Sequence, residues 1–266
     1  MFGWFRNLRR RRVRQQEFPS SWAKLLYECV PLTRRLGPED RAELERHVLV
    51  FLDEKYFEGC GGASIDDQVR VTVAGNACLL LLHRDTDYFP GVESILVYPD
   101  EFLAPVTSET EYGVVEETIE ARAGETSAEG AVVLSWADVL YDVENPHDAE
   151  NVIIHEFAHQ LDEEGRFGEG APELARHEDY ERWARVLGAE YAKLERDSRA
   201  GRRTWMDEYG ATDPAEFFAV ATECFFESPR EMKSRQPALY AELGGFYRQD
   251  PAGWQAGSRL GRGANG

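Results

Sequence analysis

His155-Glu156-Phe157-Ala158-His159 is the stretch on which the reading of this chain turns. It has the pattern H-E-x-x-H. Ile153 and Ile154 before it and Leu161 after it predict an amphipathic helix. On a helix, positions i and i+4 stand one above the other on one face. Two imidazoles at that spacing can share one tetrahedral Zn²⁺. Glu156 stands one step along, close enough to hold a water against the metal without being a ligand itself. The pattern points to metal-assisted hydrolysis.

Two histidines do not complete such a site. A catalytic zinc keeps three protein ligands and one open position. The metzincin spacing needs Gly at 162 and His at 166, and the chain has Asp162 and Arg166, so that route is excluded. The third ligand is then His177 or a downstream carboxylate: Asp162, Glu173, Glu178 or Glu216. Local context favours Glu216, which lies in Asp213–Ala219 (D-P-A-E-F-F-A) ahead of an apolar run. A carboxylate beside such a run needs a partner. The same stretch has a second explanation with no metal in it. Asp213 as N-cap, Pro214 at the first helical position and Glu216 two residues on resemble a capping box.

Around this centre the sequence predicts a mixed α+β chain. Helices are expected over 20–58, opened by Ser20-Ser21 and again by Pro38-Glu39-Asp40, and over 146–162, 173–196 and 213–226. Ser94–Tyr98 and Ala131–Leu134 read as strands, and 105–130 as a hairpin or exposed loop. Val71–Leu82 is apolar on most sides, and periodicity does not choose between helix and strand. Glu163–Pro172 reads as a Gly/Glu-rich loop beside the site. Ala131–Leu134 is expected to be an edge strand able to pair with an extended peptide. The expected organisation is a basic flexible arm at 1–16, a helical part at 17–92 packed on the core, a catalytic part at 93–255 and a flexible tail at 256–266, with 17–255 forming one unit.

Charge narrows the partners. The 266 residues carry a net charge of −19. The first 16 hold six arginines and no acid, so the rest has 24 basic against 49 acidic residues, or −25. Such a body repels nucleic acid and anionic membranes, and no stable nucleic-acid binding is expected. No apolar run approaches the ~18 residues of a membrane span, and no signal peptide is seen. Cys29, Cys60, Cys78 and Cys224 are widely spaced and form no disulfide or zinc-knuckle pattern. A reducing, cytoplasmic location is expected.

Ile153–Asp162 (I-I-H-E-F-A-H-Q-L-D), Tyr209–Val220 (Y-G-A-T-D-P-A-E-F-F-A-V) and Phe225–Pro229 (F-F-E-S-P) resemble the Mlc titration factor A family of bacterial metallopeptidases. Leu96–Phe102, Val133–Val139 and the M-F-G-W-F start are similar to it too, so the resemblance covers nearly the whole chain. The seven-residue spacing from Tyr209 to Glu216 also resembles the zinc domain of anthrax lethal factor. These resemblances imply a zincin-like, gluzincin-type domain with one Zn²⁺ per chain held by His155, His159 and Glu216. Glu156 would be the general base and Tyr209 a transition-state donor. They imply a peptide substrate, an aminopeptidase-like mode, and binding to an Mlc-like transcriptional repressor of sugar-uptake genes. The alternative is a repressor-sequestering protein in which hydrolysis is secondary. Metal-bound histidines usually donate their other N–H to a carboxylate, and Asp162 and Glu223 are the candidates. Glu223 lies seven residues past Glu216, two turns on and on the same face.

Overall fold

The computed structural model of the protein describes residues 2–100, 102–109, 115–122, 124–127, 130–165 and 169–254. The expected tail at 256–266 lies outside them.

The N-terminal segment differs from expectation. Phe2–Val13 is a helix, α1, and it is docked. Arg10 is 9% exposed and grips both oxygens of Glu54 at 2.6 and 2.8 Å. Arg6 pairs with Asp87, Arg9 with Asp53 and Arg14 with Glu43. An acidic body supplies the counter-charges that turn a basic arm into a packed helix.

Next come α2 (Ser20–Cys29) and α3 (Pro38–Glu54). The residue before α2 is Pro19, and no serine side chain caps it. Pro38 starts α3 and Glu39 and Asp40 fill its first turn, where negative charge suits the exposed N–H groups. Leu44, Val48, Phe51 and Leu52 of α3 are buried. The strand β1 (Tyr56–Gly59) has only four residues and no inward–outward alternation, which is why its sequence does not announce it. The undecided apolar stretch is helical: α4 (Asp67–Leu79) starts at the Asp66 cap, which accepts the Val69 N–H at 2.9 Å. It is apolar all round because it is buried all round. Gly75 lets α2 approach, since a Cβ there would lie 2.6 Å from Leu26 Cδ2 and 2.8 Å from Val30 Cγ2.

The strands β2 (Ser94–Tyr98), β3 (Phe102–Glu109), β4 (Val115–Arg122), β5 (Gly124–Ser127) and β6 (Ala131–Ser135) follow. β3 and β4 form an antiparallel pair within the region read as a hairpin. The main sheet is small and mixed, in the order β1-β2-β6-β5. β1, β2 and β6 are parallel and β5 is antiparallel to β6. Ile95 pairs with Val132 and Val97 with Leu134, all four buried. β6 is therefore not an edge strand. Both of its sides are already hydrogen-bonded, and it cannot take up an extended peptide.

Helices α5 (Trp136–Glu144), α6 (Val152–Glu163), α7 (His177–Arg199), α8 (Pro214–Glu227), α9 (Pro229–Arg235) and α10 (Pro237–Tyr247) complete the order. α6 begins at Val152 rather than 146, because Asn151 caps it by accepting the Ile154 N–H at 3.0 Å. The core is one continuous apolar cluster that includes residues from α3, α4, α6 and α8. Phe157 of α6 meets Phe51 of α3 and Phe89 edge-on, with centroids 5.6 and 4.7 Å apart. The N-terminal helices thus hold the back of α6. Cys29, Cys78 and Cys224 are buried thiols, and all four cysteines are free. Among the described residues no helix is long and apolar enough to cross a membrane.

Candidate metal centre

α6 buries Ile153, Ile154, Phe157, Ala158 and Leu161, which leaves His155 and His159 on the opposite side, one turn apart. α8 packs alongside α6 and brings Glu216 to them. His155 Nε2 and Glu216 Oε2 are 3.0 Å apart, His159 Nε2 and Glu216 Oε2 3.3 Å, and the two Nε2 atoms 3.1 Å. A tetrahedral zinc with ligands at ~2.0 Å has ligand–ligand edges of about 3.3 Å. The three atoms are spaced for such an ion, and they are the one His/Cys/Asp/Glu group of this kind among the described residues.

Protonation supports the fit. His155 Nδ1 lies 2.7 Å from Glu223 Oε1. A carboxylate can only accept, so Nδ1 carries hydrogen, and neutral His155 presents a lone pair at Nε2. Burial alone would lower the His155 pKa. The carboxylates of Glu223 and Glu216 outweigh it and hold the group well above the usual histidine range. Burial likewise pushes Glu216 up, but hydrogen bonds from His155 and His159 prevail and hold its carboxyl far below the usual range. Each group is strained toward its charged form by its neighbours, and a cation would replace the protons that now hold them together.

The backbone of Glu216 belongs to the helix start expected from sequence, but its side chain does not turn back to the cap. Asp213 does cap α8, taking the N–H groups of Ala215 and Glu216 at 2.8 and 3.0 Å. The Glu216 carboxylate itself faces the histidines with Oε2 and accepts the Tyr209 hydroxyl on Oε1 at 3.1 Å. Tyr209 sits in a 3-10 turn, Glu208–Ala211, and is 54% exposed, with its ring centroid 6.0 Å from that of His155. Glu156 is buried at 5% exposure and follows His155 directly on α6. His177 and Glu178 begin α7 outside this group, with Glu178 paired to Arg176 at 2.7 Å. Glu173 lines a separate cavity with Arg84 and Arg182.

The two candidates for orienting the histidines part ways. Glu223 accepts from His155 and also from the Asn151 N–H at 2.5 Å. Asp162 accepts the Gly170 N–H at 2.9 Å and so ties Gly170 to the end of α6. Asn151 was not singled out from sequence. It caps α6, fixes Glu223, and donates its Nδ2 to Glu227 Oε1 at 3.0 Å. An Asn standing just before an apolar helical run was the available signal.

Two imidazoles and a carboxylate around one point, with a buried glutamate next to the first histidine, form a donor set suited to metal-dependent hydrolysis. Comparison with known proteins agrees. The chain belongs to the glucose-regulated metallo-peptidase M90 family, whose model matches residues 5–248. It is 39% identical over 245 residues to an uncharacterized protein of Synechocystis sp., covering 91% of this chain and 89% of the relative. It is 32% identical over 229 residues to Mlc titration factor A of Salmonella agona, covering 84% of each chain. The Mlc titration factor A of Salmonella arizonae matches equally well.

Proposed function

We propose that this protein is a zinc-dependent peptidase of gluzincin type, with His155, His159 and Glu216 as the metal ligands. The observation that carries the reading is the convergence of two imidazole nitrogens and a carboxylate oxygen at 3.0–3.3 Å, spaced for a tetrahedral ion. Bound zinc would supply Lewis acidity, polarising a water and a peptide carbonyl. Glu156 would take the water's proton and pass it to the departing amine. The Tyr209 hydroxyl would turn from Glu216 to donate to the oxyanion that develops on the carbonyl. Glu223 would keep His155 in the tautomer whose Nε2 is free.

An aminopeptidase-like mode is supported by charge beside the site. Asp207 precedes Tyr209 by two residues and accepts its N–H at 2.8 Å. Burial pushes the Glu150 carboxyl up, and the nearby charges of Asp148, Asp207 and Glu223 add to it, so several acids gather there. A peptide's ammonium terminus would answer them.

The test is zinc content and peptide hydrolysis in wild type and Glu156→Gln, with free and blocked amino termini as substrates. Zinc retained and hydrolysis lost is the expected result. Unchanged hydrolysis in the variant would sink the mechanism.

A second reading draws on the name of the Salmonella relatives, Mlc titration factor A. We extend it to binding of an Mlc-like repressor by this chain. Glu156→Gln should leave that binding intact, since the residue is buried. A cytoplasmic location belongs with this proposal.

A further inference from the structure

A cavity of about 580 Å³ lies away from the metal centre. It opens between the 3-10 turn Pro31–Arg35, the segment Pro146–His147 and the junction of α8 with α9. None of its walls comes from His155, His159, Glu216 or Tyr209. Three guanidinium groups line it: Arg34, Arg35 and Arg230.

Their partners are not the carboxylates that many arginines of this chain hold. Elsewhere Arg6, Arg9, Arg10, Arg14 and Arg46 each hold a carboxylate. Arg34 instead donates to the carbonyls of Tyr27 and Glu28 at 2.8 and 3.0 Å. Arg35 donates to the Pro251 carbonyl at 2.8 Å and lies over the Trp254 ring. Among the described residues, none of the three has a carboxylate within ion-pair distance. In a protein of net charge −19, three uncompensated arginines around one cavity are unexpected. Arg35 is half-buried, and burial together with the like charge of Arg230 pulls its pKa down. Arg34 and Arg230 are exposed, and an anion held among the three would offset the repulsion between Arg35 and Arg230.

The two acids in the wall do not supply that anion. Glu231 is taken by Arg235 at 2.8 Å. Glu227 is 4% exposed; Oε1 is held by Asn151, and Oε2 has no partner. Burial, with Glu223 and Asp142 adding to it against the Asn151 bond, pushes this carboxyl up to about 9. Such a carboxyl brings no negative charge to the arginines at neutral pH. Tyr27, Pro31, Pro146 and Pro229 provide apolar wall beside these donors.

We propose that this cavity is a binding site for a small organic phosphate monoester, held by Arg34, Arg35 and Arg230. Guanidinium forks match the paired oxygens of a phosphate, and a dianion balances the uncompensated charge better than a monocarboxylate does. The volume is in the range of small-molecule sites, and the tyrosine and prolines suit a compact organic body.

Calorimetric titration of the full chain with phenyl phosphate, inorganic phosphate and benzoate tests this. Phenyl phosphate should bind saturably with a Kd of about 1 mM or tighter, and about tenfold tighter than benzoate. Arg35→Gln combined with Arg230→Gln should weaken it by about tenfold or more. Arg230→Glu should do at least as much; that side chain is exposed, so the fold is not at stake. Arg46→Gln, which removes an arginine paired with Glu43 outside the cavity, should leave binding within about twofold. The proposal is overturned if phenyl phosphate shows no saturation by about 10 mM. It is also overturned if Arg230→Glu binds as wild type does, or if Arg46→Gln loses as much as the cavity variants. Equal binding of inorganic phosphate and phenyl phosphate would overturn the organic part of the assignment.

Discussion

Glutamine at position 223 would test the geometry behind His155 at constant side-chain size. The native carboxylate accepts twice, from His155 Nδ1 at 2.7 Å and from the Asn151 N–H at 2.5 Å. An amide has one acceptor oxygen and one NH₂ group. With its oxygen on Asn151, its NH₂ faces Nδ1, and the ring must move its hydrogen to Nε2, where the metal needs a lone pair. With its oxygen on Nδ1, its NH₂ faces the buried Asn151 N–H and leaves that donor unsatisfied. The metal-free protein can take the first arrangement at little cost, because the Nε2 hydrogen then points at Glu216 Oε2, 3.0 Å away. The metal-bound protein is confined to the second. An unsatisfied buried donor costs about 1–3 kcal/mol, which at 1.4 kcal/mol per decade is roughly 5- to 150-fold in zinc affinity. Substitutions behind metal ligands typically cost about 10–100-fold, in agreement. The assay is competition for zinc against a chromophoric chelator, with thermal melting of the metal-free proteins as a check on folding. Zinc affinity within about twofold of wild type would refute both the tautomer assignment and the part given to Glu223.

Three further outcomes are expected. Tyr209→Phe should keep its zinc and lose kcat by about 100-fold with little change in KM, since the hydroxyl acts on the developing oxyanion; an unchanged kcat would remove Tyr209 from the chemistry. Glu227→Gln should change the pH dependence of stability. The folded chain keeps this carboxyl protonated up to about pH 9, whereas an unfolded glutamate releases its proton near 4.5, so native stability falls as pH rises through that window. The amide keeps the Asn151 bond and carries no proton to lose, so denaturation midpoints should favour it over wild type by roughly 2–4 kcal/mol more at pH 8 than at pH 5; parallel pH curves would contradict the buried protonated state. Gly170→Ala should be strongly destabilising. Gly170 has φ of +74°, and a Cβ there would collide with the Pro214 carbonyl at the start of α8. Its N–H is also bonded to Asp162, so the clash would wedge α8 away from α6. A loss of about 2 kcal/mol or more is expected, with weaker zinc binding, and an unshifted melting curve would show that the loop yields freely.

Some of the architecture was legible because it is local. The amphipathic run around His155 needs only its neighbours to form a helix. The apolar runs of β2 and β6 and the Asp213-Pro214 start of α8 are equally local. What was missed depends on distant surroundings. β1 is a strand because β2 offers hydrogen bonds to a short, exposed segment. α4 is a helix buried on every face, so no periodicity marks it. α1 is ordered because Glu54 and Asp87 lie within reach of its arginines. β6 lost its expected edge position to β5, a pairing set by how the chain returns.

The sequence by itself determined the chemistry of the centre. Histidines at i and i+4 must share a helical face, Glu156 must lie beside them, and Asp213 must open the next relevant helix, because hydrogen bonds within one turn enforce each relation. It favoured Glu216 among the carboxylates but left it between a ligand and a helix cap, and it did not distinguish Asp162 from Glu223, since each was an acid at plausible spacing. Only the packing of α8 against α6 decides which of these acids meets the histidines. One turn of α8 puts Glu216 on Nε2 of His155, and the position two turns on puts Glu223 on Nδ1 of the same ring. Those contacts join residues 61 and 68 positions apart. Their distances come from how two apolar faces interdigitate, a property of the assembled core that no single stretch of sequence contains.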